Sequence, residues 1–494
     1  MKKIKKTIIL VNLLSMMVMA CGSSSKSDIV PESPGPSSGD VTVYITTAAR
    51  TQEFRKTFVD FGKGANMSPR TIRLNEQVKY QTMDGFGAAI TGSTAYNLLK
   101  MTPADRTAFL KETFDVHDGM GQSYIRIAIG CSDFSLSEYT LADEPGIENF
   151  ALQEEEEKYV IPILKEILAI NPDIKIMGSP WTAPKWMKVD DLSSLSPYDS
   201  WTGGHLNPAY YQDYATYFVK WVEAMEAEGI EIYSITPQNE PLNPLNSASM
   251  LMHWKEQRDF VRDALGPKFQ QAGITTKIYA YDHNYNYDNI GSQEDYPAKI
   301  YEDTEAAVYF AGSAYHNYGG DKAELIDIYN KAPEKELVFT ETSIGTWNNG
   351  QNLGQRLIED MKEVALGTVN NWCRGVIVWN LMLDSERGPN RDGGCQTCFG
   401  AVDINADYKT IKKNSHYFII GHLSSVVKPG AVRIGTEGHQ EDGITLSAFK
   451  NPDNSYAVVL VNENSTDTRL TFSNGDNYFG AEIPGQSVVS YTWK

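Results

Sequence analysis

The sequence predicts a (β/α)8 barrel joined to an antiparallel β-sandwich, and three observations predict it. Eight short apolar stretches of strand character recur between about residues 83 and 414. Amphipathic, helix-like stretches lie between most of them. Beyond residue 415 the pattern changes to strands alone, separated by Asn, Asp, Gly and Pro turns. A doubly wound open sheet is the structural alternative, but no Gly-rich phosphate loop supports it. At 494 residues the chain has room for one large domain and a smaller one. Its 41% hydrophobic and 22% charged residues are those of a globular protein.

The elements run as follows. Lys2, Lys3, Lys5 and Lys6 precede an apolar run from Ile8 to Ala20, and "VMAC" ends it at Cys21. A basic start and a run too short to span a bilayer read as an export signal over residues 1–20. Ala20 directly before Cys21 resembles a bacterial lipoprotein signal, cut before Cys21 and lipidated there; an ordinary secretory signal with a chance cysteine is the alternative. Residues 21–40 form a Ser/Pro/Gly tether that cannot pack a core. The expected location is outside the cytoplasm, at an outer-membrane surface or periplasmic face, with the lipid as the sole link to a membrane. Residues 41–82 contain "VTVYITT" and "RTIRLNEQ", strands expected to complete the sandwich from the other end of the chain.

The barrel is expected over 83–414, with strands at "GFGAAI", "YIRIAIG", "IKIMGSP", "YSITPQ", "KIYAYDH", "FAGSAYH", "LVFTET" and "GVIVWN". "TPADRTAFLKETF" opens a helix with Thr102 as N-cap and Pro103 at the first helical position. "PAYYQDYATYFVKWVEAMEAEG" is amphipathic and stops at Gly229. Residues 415–494 hold "GITLSAFK", "YAVVLVNEN", "TRLTFSN" and "SVVSYTWK", the C-terminal sandwich strands.

Charge and cysteine content narrow the function. The formal charge is −19, and removing the four signal lysines makes it −23. That balance disfavours nucleic acid and anionic lipid surfaces and suits a neutral partner. The acidic run "QEEEEK" (153–158) reads as the solvated first turn of a helix, where the macrodipole favours carboxylates. Cys395 and Cys398 have metal-knuckle spacing, but the second half of a zinc site is missing. A local disulfide or free thiols fit an exported chain better, and no metal or cofactor is expected.

Chemistry in a (β/α)8 barrel sits at the carboxyl ends of the strands. Here the second strand carries Arg126 and leads to Asp133. The third leads to "SPWTAPKW" with Trp181, and the fourth to "QNEP" with Asn239 and Glu240. The sixth reaches His316 and Tyr318, the seventh Glu341 and the eighth Trp379. Two glutamates on strands four and seven, set among Trp and Tyr, suggest sugar chemistry. Carboxylates supply proton and nucleophile, while flat rings stack on a pyranose.

At these residues the chain resembles glycoside hydrolase family 30, the glucosylceramidase and β-1,6-glucanase family. The resemblance runs through "DGFGAAIT", "IRIAIGCSDFS", "SPWTAPKWMK", "ITPQNEP", "AYHNY", "FTETS" and "VWNLMLD" into the terminal sandwich. It implies retaining hydrolysis of a β-glucan or other β-glucoside, with Glu240 as general acid/base and Glu341 as nucleophile. Arg126 is expected to hold Glu341 ionised, and the charged Glu341 to raise the pKa of Glu240. Asn239 is placed for the sugar 2-hydroxyl. Asp133, Trp181, His316, Tyr318 and Trp379 complete the implied substrate-binding set. An endo-β-1,6-glucanase is favoured, on the lipid-tethered setting and the absence of a basic collar for phospholipid. A β-glucosidase or glucosylceramidase is the alternative within the family, and a non-catalytic glycan-binding lipoprotein on the same fold the alternative outside it. Trp347 offers an aglycone platform in either enzyme.

Overall fold

The computed structural model describes residues 38–63, 67–285 and 290–494. The expected signal, Cys21 and most of the tether lie outside the described residues. Eight parallel strands close a barrel in chain order. They are β1 (Gly85–Ala89), β2 (Tyr124–Ala128), β3 (Lys175–Ser179), β4 (Ser234–Ile235), β5 (Lys277–Asn284), β6 (Phe310–His316), β7 (Glu336–Glu341) and β8 (Cys373–Asn380). β8 pairs with β1, which leaves the ladder no open edge. All eight coincide with the apolar stretches expected to form them.

Helices cover the outside and bury the faces their sequences offer. The Thr102 side chain accepts from the Asp105 N–H, and Pro103 opens the helix Pro103–Phe114. Tyr211–Ala227 buries Tyr214, Tyr217, Phe218, Trp221 and Met225, and the left-handed Gly229 follows its end. "QEEEEK" departs from its solvated reading: Glu155 and Glu156 are buried, the first accepting from the Leu136 N–H and the second from the Tyr139 hydroxyl. Burial pushes each carboxyl up to about 7.

The expectation of strands alone after residue 415 also needs correction. Ser415–Ser424 is an α-helix with all ten residues buried. A helix covered on every side shows no amphipathic period, so "HYFII" looks strand-like in sequence. It packs against both the barrel and the sandwich. Its His422 ties the helix to two neighbouring sandwich strands, with Nδ1 2.8 Å from Ser490 Oγ and Nε2 2.8 Å from Thr46 Oγ1.

The sandwich is a nine-stranded sheet in the order 55–59, 41–47, 487–493, 456–462, 444–450, 432–438, 71–82, 468–473, 478–483. Phe479, on the last strand of that order, has its ring 5.0 Å from Trp493 on the third. Strands so far apart along the ladder meet only if the sheet doubles over, which encloses Val43, Ile72, Val458, Phe472 and Tyr491. Residues 41–47 pair with 487–493 and residues 71–82 with 432–438, so both ends of the chain build one module.

Candidate active site

Alternation within the barrel strands sets the site. Tyr124, Met177, Tyr279, Ala314, Val338 and Ile377 form a buried cluster separate from the main core. Residues two further along a strand face the same way. For β2, β3, β6, β7 and β8 these are Arg126, Ser179, His316, Thr340 and Trp379. β5 breaks the count. Its register against β6 shifts between Tyr281 and His283, and Tyr281 and Asp282 take left-handed φ of 73° and 71°. The bulge delivers Asp282 to the same layer.

Asp282 is the hub of this layer. Its carboxylate accepts from Thr340 Oγ1 at 2.6 Å, Arg126 Nη2 and Thr236 Oγ1 at 2.7 Å, His316 Nε2 at 3.0 Å and Ser179 Oγ at 3.1 Å. Burial alone would raise its pKa; the Arg126 charge and the His316 hydrogen bond overcome this and hold it far below the usual carboxylate range. Arg126 also donates to Glu341 Oε2 at 2.6 Å and to Asn239 Oδ1 at 2.7 Å. Its guanidinium lies over the Trp181 and Trp379 rings, 5.0 and 5.3 Å from their centroids.

Glu240 follows the short β4. Its N–H donates to the Asp282 carbonyl at 3.0 Å, and the Asn239 N–H donates to the Pro180 carbonyl at 2.8 Å. Glu240 is held at φ 44°, a left-handed conformation unfavourable for a side chain and of the kind that clusters at functional sites. Its Oε1 lies 3.2 Å from His316 Nδ1, and Oε2 accepts from Asn243 Nδ2 at 2.8 Å. Glu341 Oε1 accepts from the Tyr318 hydroxyl at 3.0 Å. Donor atoms of Glu240, His316 and Glu341 lie within 4.8 Å of one another.

The imidazole sits between two carboxylates, and this governs the protons. Burial works against its charge, but Glu341, Asp282 and Glu240 raise its pKa to about 9. Burial lifts Glu240, and the His316 contact with help from His283 and Asn243 reverses this and brings it down to about 2. The net direction departs from the expectation that Glu240 is held up by Glu341, because the His316 contact outweighs that repulsion. An imidazolium can donate to Asp282 and Glu240 at once; a neutral ring donating to Asp282 needs a proton from Glu240 instead. One proton therefore occupies the Nδ1–Oε1 hydrogen bond in either case. Burial raises Glu341, with His316 and Arg126 opposing it.

A cavity of about 510 Å³ opens over the two glutamates, lined by Asp133, Asn243, Leu245, Tyr318, Trp347 and Trp379 among others. Asp133, Tyr318 and Trp379 thus stand where sugar-binding groups were expected. Trp181 stacks on Trp379 at 5.2 Å, and its Nε1 has no hydrogen-bond partner among the described residues. His316 departs from its expected role as a substrate contact: it is fully buried, and both ring nitrogens face carboxylates. Asp282 and Asn243 were missed from sequence, although "YDH" at the end of β5 carried a signal. Cys395 and Cys398 form a disulfide, and both line the cavity. Among the described residues, two groups have donor sets that could hold a divalent ion, Glu240–His316–Glu341 and His205–His253–Glu256. In the second, Glu256 pairs with both imidazoles at 2.9 Å.

Two carboxyls this close at the top of a (β/α)8 barrel, beside stacked indoles, define a glycosidase of the retaining class, for which carboxyl separations of roughly 5–5.5 Å are usual. Comparison with known proteins agrees. The sequence profile of the glycosyl hydrolase family 30 TIM-barrel domain matches residues 83–427, and that of the family 30 β-sandwich domain matches 430–491. The chain belongs to glycosyl hydrolase family 30. It is 31% identical to an endo-1,6-β-D-glucanase of Trichoderma harzianum, over 84% of each chain. It is 28% identical to the lysosomal acid glucosylceramidase of Mus musculus, over 97% of this chain and 94% of the relative. A solved structure of an endo-β1,6-glucanase superposes with a TM-score of 0.90 at 66% identity, covering 92% of this chain and 99% of the other.

Proposed function

We propose that this enzyme is an endo-β-1,6-glucanase in which Glu341 is the nucleophile and Glu240 the general acid/base. The observation that carries the mechanism is the approach of one Glu240 oxygen to within 4.8 Å of one Glu341 oxygen. Inverting enzymes need about 6.5–9.5 Å to seat a water between the carboxyls. The 66% identity to an endo-β1,6-glucanase supports the linkage.

Glu341, paired with Arg126, attacks the anomeric carbon while Glu240 protonates the departing oxygen. A glycosyl-enzyme forms, and Glu240 then removes a proton from the water that hydrolyses it. Glu240 draws its first proton from His316 across the 3.2 Å hydrogen bond, once sugar displaces water from the cavity. Asn239, its Oδ1 occupied by Arg126, presents Nδ2 to the 2-hydroxyl. Trp379 forms the sugar floor, and Asp133 and Trp181 bind glycone hydroxyls. Products from linear β-1,6-glucan, β-1,3-glucan, xylan and glucosylceramide, compared side by side, test the reading. Short gentio-oligosaccharides from β-1,6-glucan are expected; glucose alone points to a β-glucosidase.

We further infer export and lipidation at Cys21, on the basic start, the apolar run and the "AC" junction. Mass spectrometry of the mature N terminus checks this; an unmodified terminus refutes it. Among the described residues no helix is long and apolar enough to cross a membrane.

A further inference from the structure

The loop after β8 is attached to two walls of the cavity, and its disulfide joins the attachments. On one wall the Arg391 N–H donates to the Asp133 carbonyl at 3.1 Å. The Cys395 backbone N–H lies close enough to the Asp133 carboxylate to favour its charged form. The approach is close: a Cβ added at Gly394 would lie 2.8 Å from the Asp133 Cβ and 2.9 Å from its carbonyl oxygen. Glycine there lets the loop reach Asp133. On the other wall Cys398–Phe399 pairs antiparallel with Ile344–Gly345, just past Glu341. The Thr346 N–H donates to the Thr397 carbonyl at 3.0 Å. Between the two cysteines lie only Gln396 and Thr397, both exposed, so no apolar packing fixes that span.

We propose that the Cys395–Cys398 disulfide is a positioning strut of the sugar pocket. It sets the separation between Asp133 and the segment following Glu341, a role that rests on the reading of Asp133 as a sugar ligand. Cross-links that close short loops add least to global stability on the chain-entropy account, which points to a local purpose. Asp133 is a group that needs such support. Burial and the charges of Glu341 and Glu240 push its pKa well up, and the Cys395 N–H is among the contacts that favour its ionised form. Without the strut the backbone at Gly394 and Cys395 drifts from Asp133, and Asp133 becomes a weaker acceptor for a hydroxyl.

The test compares the Cys395→Ser/Cys398→Ser double variant with Asp133→Asn on an aryl β-glucoside. For the double variant KM should rise about tenfold, the effect of losing one hydrogen bond to a charged group, while kcat changes little. The fraction of sites titrated by a 2-fluoroglucoside inactivator and the melting temperature should match wild type. A water-soluble phosphine, which becomes the phosphine oxide as it reduces the bond to two thiols, should reproduce the KM shift in the wild-type enzyme. Cys131 and Cys373 are already free thiols and buried. An unchanged KM in the double variant, with Asp133→Asn impaired, overturns the strut. Loss of titratable sites at unchanged KM overturns it too, in favour of simple fold maintenance. An unimpaired Asp133→Asn overturns the sugar-ligand reading on which the strut depends.

Discussion

Replacing Asp282 with Asn removes one charge and leaves the shape, and it probes the hub directly. Asp282 and Arg126 are fully buried, and the pair has further hydrogen bonds on every side. Breaking a buried pair by neutralising one partner costs about 3–5 kcal/mol, and because Arg126 keeps Glu341 as a second carboxylate partner the cost here belongs at the lower end, about 3 kcal/mol. A second effect depends on pH. His316 has its pKa raised from 6.5 to about 9, worth about 3 kcal/mol of linkage, and Asp282 is one of three carboxylates responsible. A raised folded pKa stabilises fully below the unfolded value and loses that stability as pH rises through the folded one. Asp282 itself has a depressed pKa, so its contribution persists above the unfolded carboxylate value and fails only in strong acid. The variant should therefore be least stable relative to wild type near pH 6, and the gap should narrow towards pH 9. Urea unfolding followed by tryptophan fluorescence at several pH values measures this. Parallel stability curves for the two proteins would refute the linkage, and equal stability at pH 6 would refute the hub.

The catalytic assignments give sharper effects. Glu341→Gln should lose about 10⁴-fold or more in kcat with an unchanged circular dichroism spectrum, and wild-type-like turnover would sink the nucleophile assignment. Glu240→Gln should lower kcat on β-1,6-glucan by about 10²–10⁴-fold but cost far less with aryl glucosides carrying good leaving groups; equal losses on both argue against an acid role. His422→Ala strips partners from Ser490 and Thr46 at the junction of barrel and sandwich. Scanning calorimetry should show it destabilised by about 1–3 kcal/mol, with kcat nearly unaffected.

Eight barrel strands were legible because each is a short apolar run, and most lead into polar or aromatic residues beyond it. Glu240 and Glu341 were legible for the same reason. Asp282 was not, because it enters the lumen through a bulge, and alternation counted from Tyr279 reaches Tyr281 instead. The protonation of Glu240 was misjudged because it depends on His316, whose contact with Glu240 joins β6 to the loop after β4. The buried helix Ser415–Ser424 was hidden because its surroundings erase the amphipathic period. Glu155 and Glu156 were hidden in an acidic run whose neighbours are exposed, and the folded loop after β2 and the helix start at Gly92 cover them.

The interleaving of the sandwich bears on how the molecule is assembled during synthesis. Residues 41–82 emerge from the ribosome before the barrel, yet their partners at 432–438 and 487–493 come after the entire barrel. Until then Val41–Thr47 has only the hairpin partner Arg55–Val59, with its other edge open to any stray strand. A barrel that forms before residues 432–493 are available forms beside an unfinished sheet. The segment that finishes it, Ser487–Trp493, lies between two neighbours rather than at a margin. Release of a chain a few residues short at that end would leave the earliest-made strands without their partner, so premature termination there should yield an aggregating product rather than a trimmed enzyme.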